Sequence, residues 1–148
     1  GTKVAGIGTH IDFMATAAAA AGAPLPADRK LDGVNLLPNL STGTPIAPRT
    51  LFWRSGDYRV VRDGDWKLQV SARPDRVWLH NLADDPTEQR DLSAAMPEKV
   101  AELRAKIEAQ AAEMPKPLWP ALLEGPVRID VPLNAPWKEG QDYVFWAN

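Results

Sequence analysis

The chain contains no cysteine, which excludes a disulfide framework, a thiolate metal site and a thiol nucleophile. Histidine is almost as scarce. His10 and His80 are the only two, each reads as a structural residue, and a lone imidazole lacks the partners that a ligand set or a general base requires. Charge is not in excess either: 17 Lys and Arg stand against 19 Asp and Glu, a formal net charge of -2. Such a balance offers no surplus to hold a phosphate backbone, so no nucleic-acid partner is expected. No apolar run is long enough to span a bilayer, so no membrane partner is expected. A phosphate-binding loop, a paired-glycine dinucleotide turn and a His-Glu metalloprotease helix are all missing. With no nucleophile, activating group and positive site in view, these residues are not expected to break a bond alone.

What is present suits a globular chain of one domain or a little more, 148 residues long and 45% hydrophobic, with 10 Gly and 14 Pro to make turns. Four β-type runs, residues 51–54, 58–62, 66–70 and 76–82, are separated by Ser55-Gly56-Asp57, Asp63-Gly64 and residues 72–75. In the third run Trp66, Leu68 and Val70 alternate with Lys67 and Gln69, which predicts one buried and one wet face. Asp63-Gly64 is expected as the two-residue loop of a hairpin, pairing Val61 and Arg62 with Asp65 and Trp66. Trp78 and His80 should share a face.

A helix is predicted from Pro97, with Glu98 at its positive end and a stripe of Val100, Leu103, Ile107 and Met114 joined by Ala111. Glu102 and Lys106 stand in the favourable order for an ion pair of about 0.3 kcal/mol. Pro115 and Pro117 end the helix. Upstream, five alanines before Gly22 and Pro24 predict a helix over residues 11–21, with Asp12 in its first turn. Residues 34–40 make an apolar segment that Pro38 limits to one or two turns. Residues 116–148 are rich in Pro and Trp and read as an extended tail, with Tyr143-Val144-Phe145-Trp146 able to add an edge strand. The fold class is therefore α+β: a small four-stranded antiparallel meander covered by a C-terminal helix and preceded by an Ala-rich helix. The divisions expected are 1–48, 49–115 and 116–148.

Three groups invite a functional reading. Arg54, Arg59 and Arg62 beside Asp57, Asp63 and Asp65 could bind an anion, although alternating charges on a hairpin usually form solvated pairs of small value. Asp84, Asp85, Glu88 and Asp91 are acidic but lack the Gly turn and closing Glu of a calcium loop; a turn in which Asp85 or Thr87 bonds nearby amides explains them better. Trp53, Trp66 and Trp78 belong to the expected sheet core. Trp119, Trp137 and Trp146 remain as exposed tryptophans for a carbohydrate or protein surface.

Several strings together resemble the sulfatases. His10-Ile11-Asp12-Phe13-Met14-Ala15-Thr16, Ala21-Gly22-Ala23 and Leu31-Asp32-Gly33-Val34-Asn35-Leu36-Leu37-Pro38 are similar to the segment that follows the catalytic core in that family. Leu51-Phe52-Trp53-Arg54, Val61-Arg62-Asp63-Gly64-Asp65-Trp66-Lys67-Leu68, Leu79-His80-Asn81-Leu82-Ala83-Asp84-Asp85-Pro86-Thr87-Glu88 and Asp91-Leu92 resemble its C-terminal subdomain. Pro117-Leu118-Trp119-Pro120 and Tyr143-Val144-Phe145-Trp146 look like the end of bacterial arylsulfatases. The resemblance implies the C-terminal portion of an alkaline-phosphatase-like sulfatase, with residues 1–48 closing the catalytic domain and the Ala-rich helix packing on a larger mixed sheet that is not in this chain. It also implies sulfate-ester hydrolysis in the complete enzyme, with calcium and a formylglycine nucleophile.

The departures from the family matter as much. The Cys or Ser-x-Pro-x-Arg nucleophile motif is absent, since there is no Cys and none of Ser41, Ser55, Ser71 and Ser93 begins it. Lys3 is followed by no Glu-Gly-Gly, so it does not match the sulfate-binding lysine. No catalytic or metal role is transferred to any residue, and no cofactor is expected in the chain itself. For substrate binding the candidates are Arg54, Arg59, Trp119 and Trp146. The implied partners are the N-terminal catalytic portion of the same enzyme and a sulfated small molecule or glycan. The chain opens on Gly1 and is expected to be a piece of a longer, bacterial protein, periplasmic, secreted or cytoplasmic. Two alternatives are the C-terminal part of a related phosphodiesterase or phosphonate hydrolase, and a non-enzymatic module binding carbohydrate or protein through exposed Trp.

Overall fold

The structure, a computed structural model, describes residues 1, 3–119, 121–129, 131–132 and 134–147. Pro120 and Asn148, which close two of the stretches named above, lie outside the described residues. Two compact units divide the chain, residues 1–48 and 49–148.

The first unit holds two helices, α1 (Asp12–Ala21) and α2 (Leu37–Thr42). Alanine carries α1 on propensity, and Gly22, with φ 65°, ends it: the amides of Gly22 and Ala23 return to Ala19 O and Ala18 O. Pro38 lies in the first turn of α2, where its missing N–H costs nothing. What ties the unit together is polar. Asp12 is fully buried, and its carboxylate accepts from Thr9 N at 2.7 Å and Val34 N at 2.9 Å. Thr16 Oγ1 accepts from Leu36 N at 3.0 Å, while Asn39 Nδ2 donates to Ala5 O and Thr44 O. Gly33 passes so close to α1 that a Cβ there would lie 2.0 Å from Ile11 O. A side chain at that position would force the backbone apart.

The second unit is the meander and its covers. Strands β1 (Thr50–Ser55), β2 (Tyr58–Asp63), β3 (Trp66–Ala72) and β4 (Asp75–Asn81) form one antiparallel sheet in sequence order. Ser55 pairs with Tyr58 and Asp63 with Trp66, so the first two loops are Gly56-Asp57 and Gly64-Asp65. The second lies one position later than the Asp63-Gly64 loop expected. A type II′ hairpin needs positive φ only at its first central residue, where Gly56 (56°) and Gly64 (59°) stand. Val61 consequently faces Leu68 instead of Trp66, a slide of two residues that leaves every side chain on its expected face.

On one face, Val61, Leu68 and Leu79 form a row against Leu103 and Ile107 of α3 (Pro97–Glu113), with Phe52, Trp66, Val70, Val77 and Val100 packed around them. Met96 and Leu92 complete this core. Met114, expected on the stripe, instead follows the helix in extended backbone and is 45% exposed, because the chain turns away before Pro115. The Glu102–Lys106 pair does not form either. Glu102 takes Lys99, and Lys106 reaches across to Asp63 of β2.

The other face is not wet. Gln69, Ser71, Trp78 and His80 are all 1–2% exposed: the loop after β4 meets Gln69 and His80 through Glu88 and Arg90, and β5 (Glu124–Arg128) and β6 (Tyr143–Ala147) pair as a separate two-stranded sheet that brings Val144 against Tyr58, Val60 and Trp78. Residues 143–146 thus lie in a hairpin over the sheet and do not extend its edge. Ser55 Oγ holds β6 by accepting from Ala147 N at 3.0 Å and donating to Ala147 O at 3.1 Å. Trp53, expected in the core, is 40% exposed.

Candidate functional site

Polar groups buried on the hairpin-covered face answer each other. Tyr58 Oη donates to Gln69 Oε1, Gln69 Nε2 donates to Glu88 at 3.1 Å, and Lys67 Nζ donates to both Glu88 oxygens. Glu88 reaches them from the loop after β4 with φ 58°. That loop is folded by its own carboxylates: Asp85 Oδ2 accepts from Arg90 N at 2.7 Å, and Asp91 Oδ1 accepts from Leu79 N at 3.0 Å and Ser93 N at 2.8 Å. Burial pushes the Asp91 carboxyl up, but these amides more than offset it and leave it below its ordinary value. His80 Nδ1 lies 3.1 Å from Arg90 O. Asp85 thus bonds a nearby backbone amide, as expected, and Asp91 ties the loop to β4.

Arg54 and Arg59 are cross-strand partners at the β1–β2 end. They line a groove of about 300 Å³ with Glu108, Met114 and Lys116, where α3 ends. Arg59 Nη1 is 3.2 Å from Glu108 Oε1, and Arg54 Nε donates to Gly56 O at 3.2 Å. Expected ion pairs within the hairpin are replaced by longer-range ones. Asp57 pairs with Arg73, and Asp63 binds the Lys106 ammonium and the Thr50 hydroxyl, which hold its carboxyl below the ordinary range. Trp146 does not join the arginine groove, since its ring packs 6.1 Å from Tyr58, whose side chain alternates with Arg59 to the opposite face. Trp119 is 72% exposed.

A second depression lies on the outer face of the β5–β6 hairpin. Pro126 pairs with Phe145, and Arg128 with Tyr143, so these four side chains form a block on one face while Val144 points to the other. With Trp137 from the connecting segment they line a cleft of about 480 Å³. Of these five, Trp137 alone is a binding candidate on sequence, while Tyr143 and Phe145 are expected there only as part of a strand. The alternation of Tyr143 and Phe145 with Val144 and Trp146 was the available signal, but it indicates a site only once the partner strand is known.

Among the described residues no three His, Asp or Glu side chains are grouped to hold a metal ion, and no cysteine exists to become formylglycine. The calcium and the formylglycine that the sulfatase resemblance implies for the complete enzyme are assigned to no residue described here. No catalytic step runs through them.

No protein-family model matches the chain, and no curated protein does. Solved structures do match it. Ps i-CgsB in complex with k-i-k-neocarrahexaose aligns at 22% identity and a TM-score of 0.58, over 73% of this chain and 25% of that one. BT33336S-sulf, from work on glycosaminoglycan metabolism by Bacteroides thetaiotaomicron, aligns at 21% and 0.55, over 69% and 24%. BT1596, a 2-O GAG sulfatase, aligns at 22% and 0.53, over 68% and 24%. At these identities the likeness establishes the fold alone: this chain shares the fold of a part of these proteins, one of which is described as a 2-O GAG sulfatase. The chain spans about a quarter of the length of the solved structures it matches.

Proposed function

We propose that this chain is the C-terminal supporting part of a sulfatase, completing the fold of an enzyme that hydrolyses sulfate esters and forming one wall of its substrate cleft. The observation that carries the reading is the match of about 70% of the chain to sulfatases of which it covers about a quarter. It is supported by the places taken by the motif residues. Asp12, Thr16 and Gly33 knit the first unit, and Glu88 and Asp91 lock the loop after β4. Each is a structural role, which is what a supporting part needs. The nucleophile, the calcium ligands and the groups that hold sulfate belong, in this reading, to a catalytic portion with which the chain is associated. In this reading Arg54, and Arg59 on exchange of its partner Glu108, are the cations offered to an anionic substrate. The substrate class favoured is a sulfated glycan, after the glycosaminoglycan and carrageenan-type ligands named for the matching proteins.

The test is turnover. Residues 1–148 alone, assayed with an aryl sulfate and with sulfated oligosaccharides, are expected to release no sulfate above a buffer control. The longer protein that contains them is expected to release it. Robust hydrolysis by the 148-residue chain, free of contaminating enzyme, would overturn the supporting role. A longer protein that cleaves phosphate diesters or phosphonates but not sulfate esters would favour the related hydrolase.

A further inference from the structure

The cleft on the outer face of the β5–β6 hairpin is built unlike the rest of the surface. Trp137 is 66% exposed, yet the segment that presents it is tied down at several points. Arg128 donates from Nη2 to Ala135 O at 2.6 Å, and from Nη1 to Pro136 O at 3.0 Å and Gln141 Oε1 at 3.1 Å. The same Gln141 oxygen accepts from Lys138 N at 3.1 Å. The backbone on both sides of Trp137 is thus held by hydrogen bonds while its indole is left largely in water, which limits the ordering cost of presenting the ring to a ligand. Beside it Tyr143 and Phe145 stand edge to face, with centroids 6.0 Å apart, and the Arg73 guanidinium lies 5.7 Å from the Phe145 ring. Arg73 is itself held by Asp57 and Glu124.

Three aromatic side chains, one arginine and a volume of about 480 Å³ are the ingredients of a small-ligand site. A pyranose ring matches them, because its two faces carry C–H groups that stack on an aromatic plane while its hydroxyls project around the edge. The charge points the same way. Arg128 is the one ionised group among the described residues that line the cleft, so it complements a sugar that bears an acidic substituent.

We infer that the cleft formed by Arg128, Trp137, Tyr143 and Phe145 binds an acidic hexopyranose unit of a glycan chain. This rests on the sulfatase reading only for the nature of the acid, a sulfate ester. The role inferred for the cleft is binding.

The experiment is calorimetric titration of the 148-residue chain with a carrageenan hexasaccharide, with the same hexasaccharide after chemical desulfation, and with sodium sulfate. The intact hexasaccharide is expected to bind saturably. Desulfation is expected to weaken it several-fold, and sodium sulfate alone should give no saturable heat. Trp137→Ala removes an exposed side chain and should leave the circular-dichroism spectrum and unfolding midpoint unchanged while weakening binding at least tenfold. Tyr143→Ala is expected to do the same to a smaller extent. Unchanged affinity in Trp137→Ala, or no binding of either hexasaccharide, would overturn the inference. So would self-association of the chain that Trp137→Ala abolishes in the absence of any glycan response, since the face would then belong to a second copy. The readout is binding and not turnover, so this inference and the sulfatase reading can fail separately.

Discussion

The two units of the chain are stabilised by different means. In residues 1–48 the fully or nearly buried side chains are Asp12, Ala15 and Asn39, and apolar groups such as Phe13 and Met14 on α1 stay more than half exposed. Order there comes from side-chain oxygens and nitrogens that close backbone hydrogen bonds between distant segments. In residues 49–148 a contiguous apolar row, Val61, Leu68, Leu79, Leu103 and Ile107, lies between the sheet and α3. Burial of such side chains contributes about 1.5–3 kcal/mol each, whereas a net hydrogen bond contributes about 1 kcal/mol. The lesson is that the second unit can lose a polar contact and stay folded, while the first has few apolar contacts to fall back on.

The largest break in this contrast should come from Leu79→Ala, which empties a fully buried site between β4 and α3. It is expected to cost about 3 kcal/mol, read as a lowered urea midpoint with the β-sheet signal lost in the same transition. Next is Asp12→Ala, which strips the amides of Thr9 and Val34 of their acceptor and should cost about 2 kcal/mol. Hydrogen exchange is the check: protection should fall at residues 9, 34 and 36 and persist at Val61 and Leu68. Equal loss in both units would erase the contrast drawn here. Gly33→Ala should act on the same unit, through the clash with Ile11 O.

A smaller effect is expected from pH. Asp63 and Asp91 both have folded carboxyls below the ordinary value, so folding favours their ionised forms. Their contribution is fully present above the ordinary carboxylate range, near 4, and is lost as pH falls through the lower folded values. Unfolding midpoints should therefore stay flat from neutral pH to about 5 and drop below it. Asp91→Asn should flatten much of that drop; an acid limb of unchanged depth would show that other groups carry it. Least of all should be felt from Arg59→Ala, since its pair with Glu108 is partly solvated and contributes about 0–1 kcal/mol. A loss well beyond that would mean that the groove at the end of α3 is part of the core.

Much of the second unit was legible in the order of residues. Alternation in the third run, glycine between the strands and the Leu103–Ile107 stripe are local signals, and they placed four strands and a helix correctly. The loop position in the second hairpin was missed by one residue because Asp63-Gly64 and Gly64-Asp65 both contain a residue that tolerates positive φ. Strand twist and the pairing of Val61 with Leu68 choose between them. The fate of the second sheet face was not legible either. Gln69, Ser71 and His80 look like surface residues until a hairpin more than forty positions downstream and the loop carrying Glu88 are laid over them. Of the four binding candidates, Arg54 and Arg59 meet in one groove, while Trp119 and Trp146 are not among the residues that line it. The aromatic cleft needed the register of β5 against β6 before its members could be recognised.

Local chemistry, acting over a few residues, settled which segments are helices and strands, where glycine must stand, and that no thiol chemistry occurs in this chain. The covered second face, the network joining Tyr58, Gln69, Glu88 and Lys67, and the cleft around Trp137 were decided only by tertiary structure. Their members lie far apart along the chain, and no local preference encodes which distant segment will come to rest on which face.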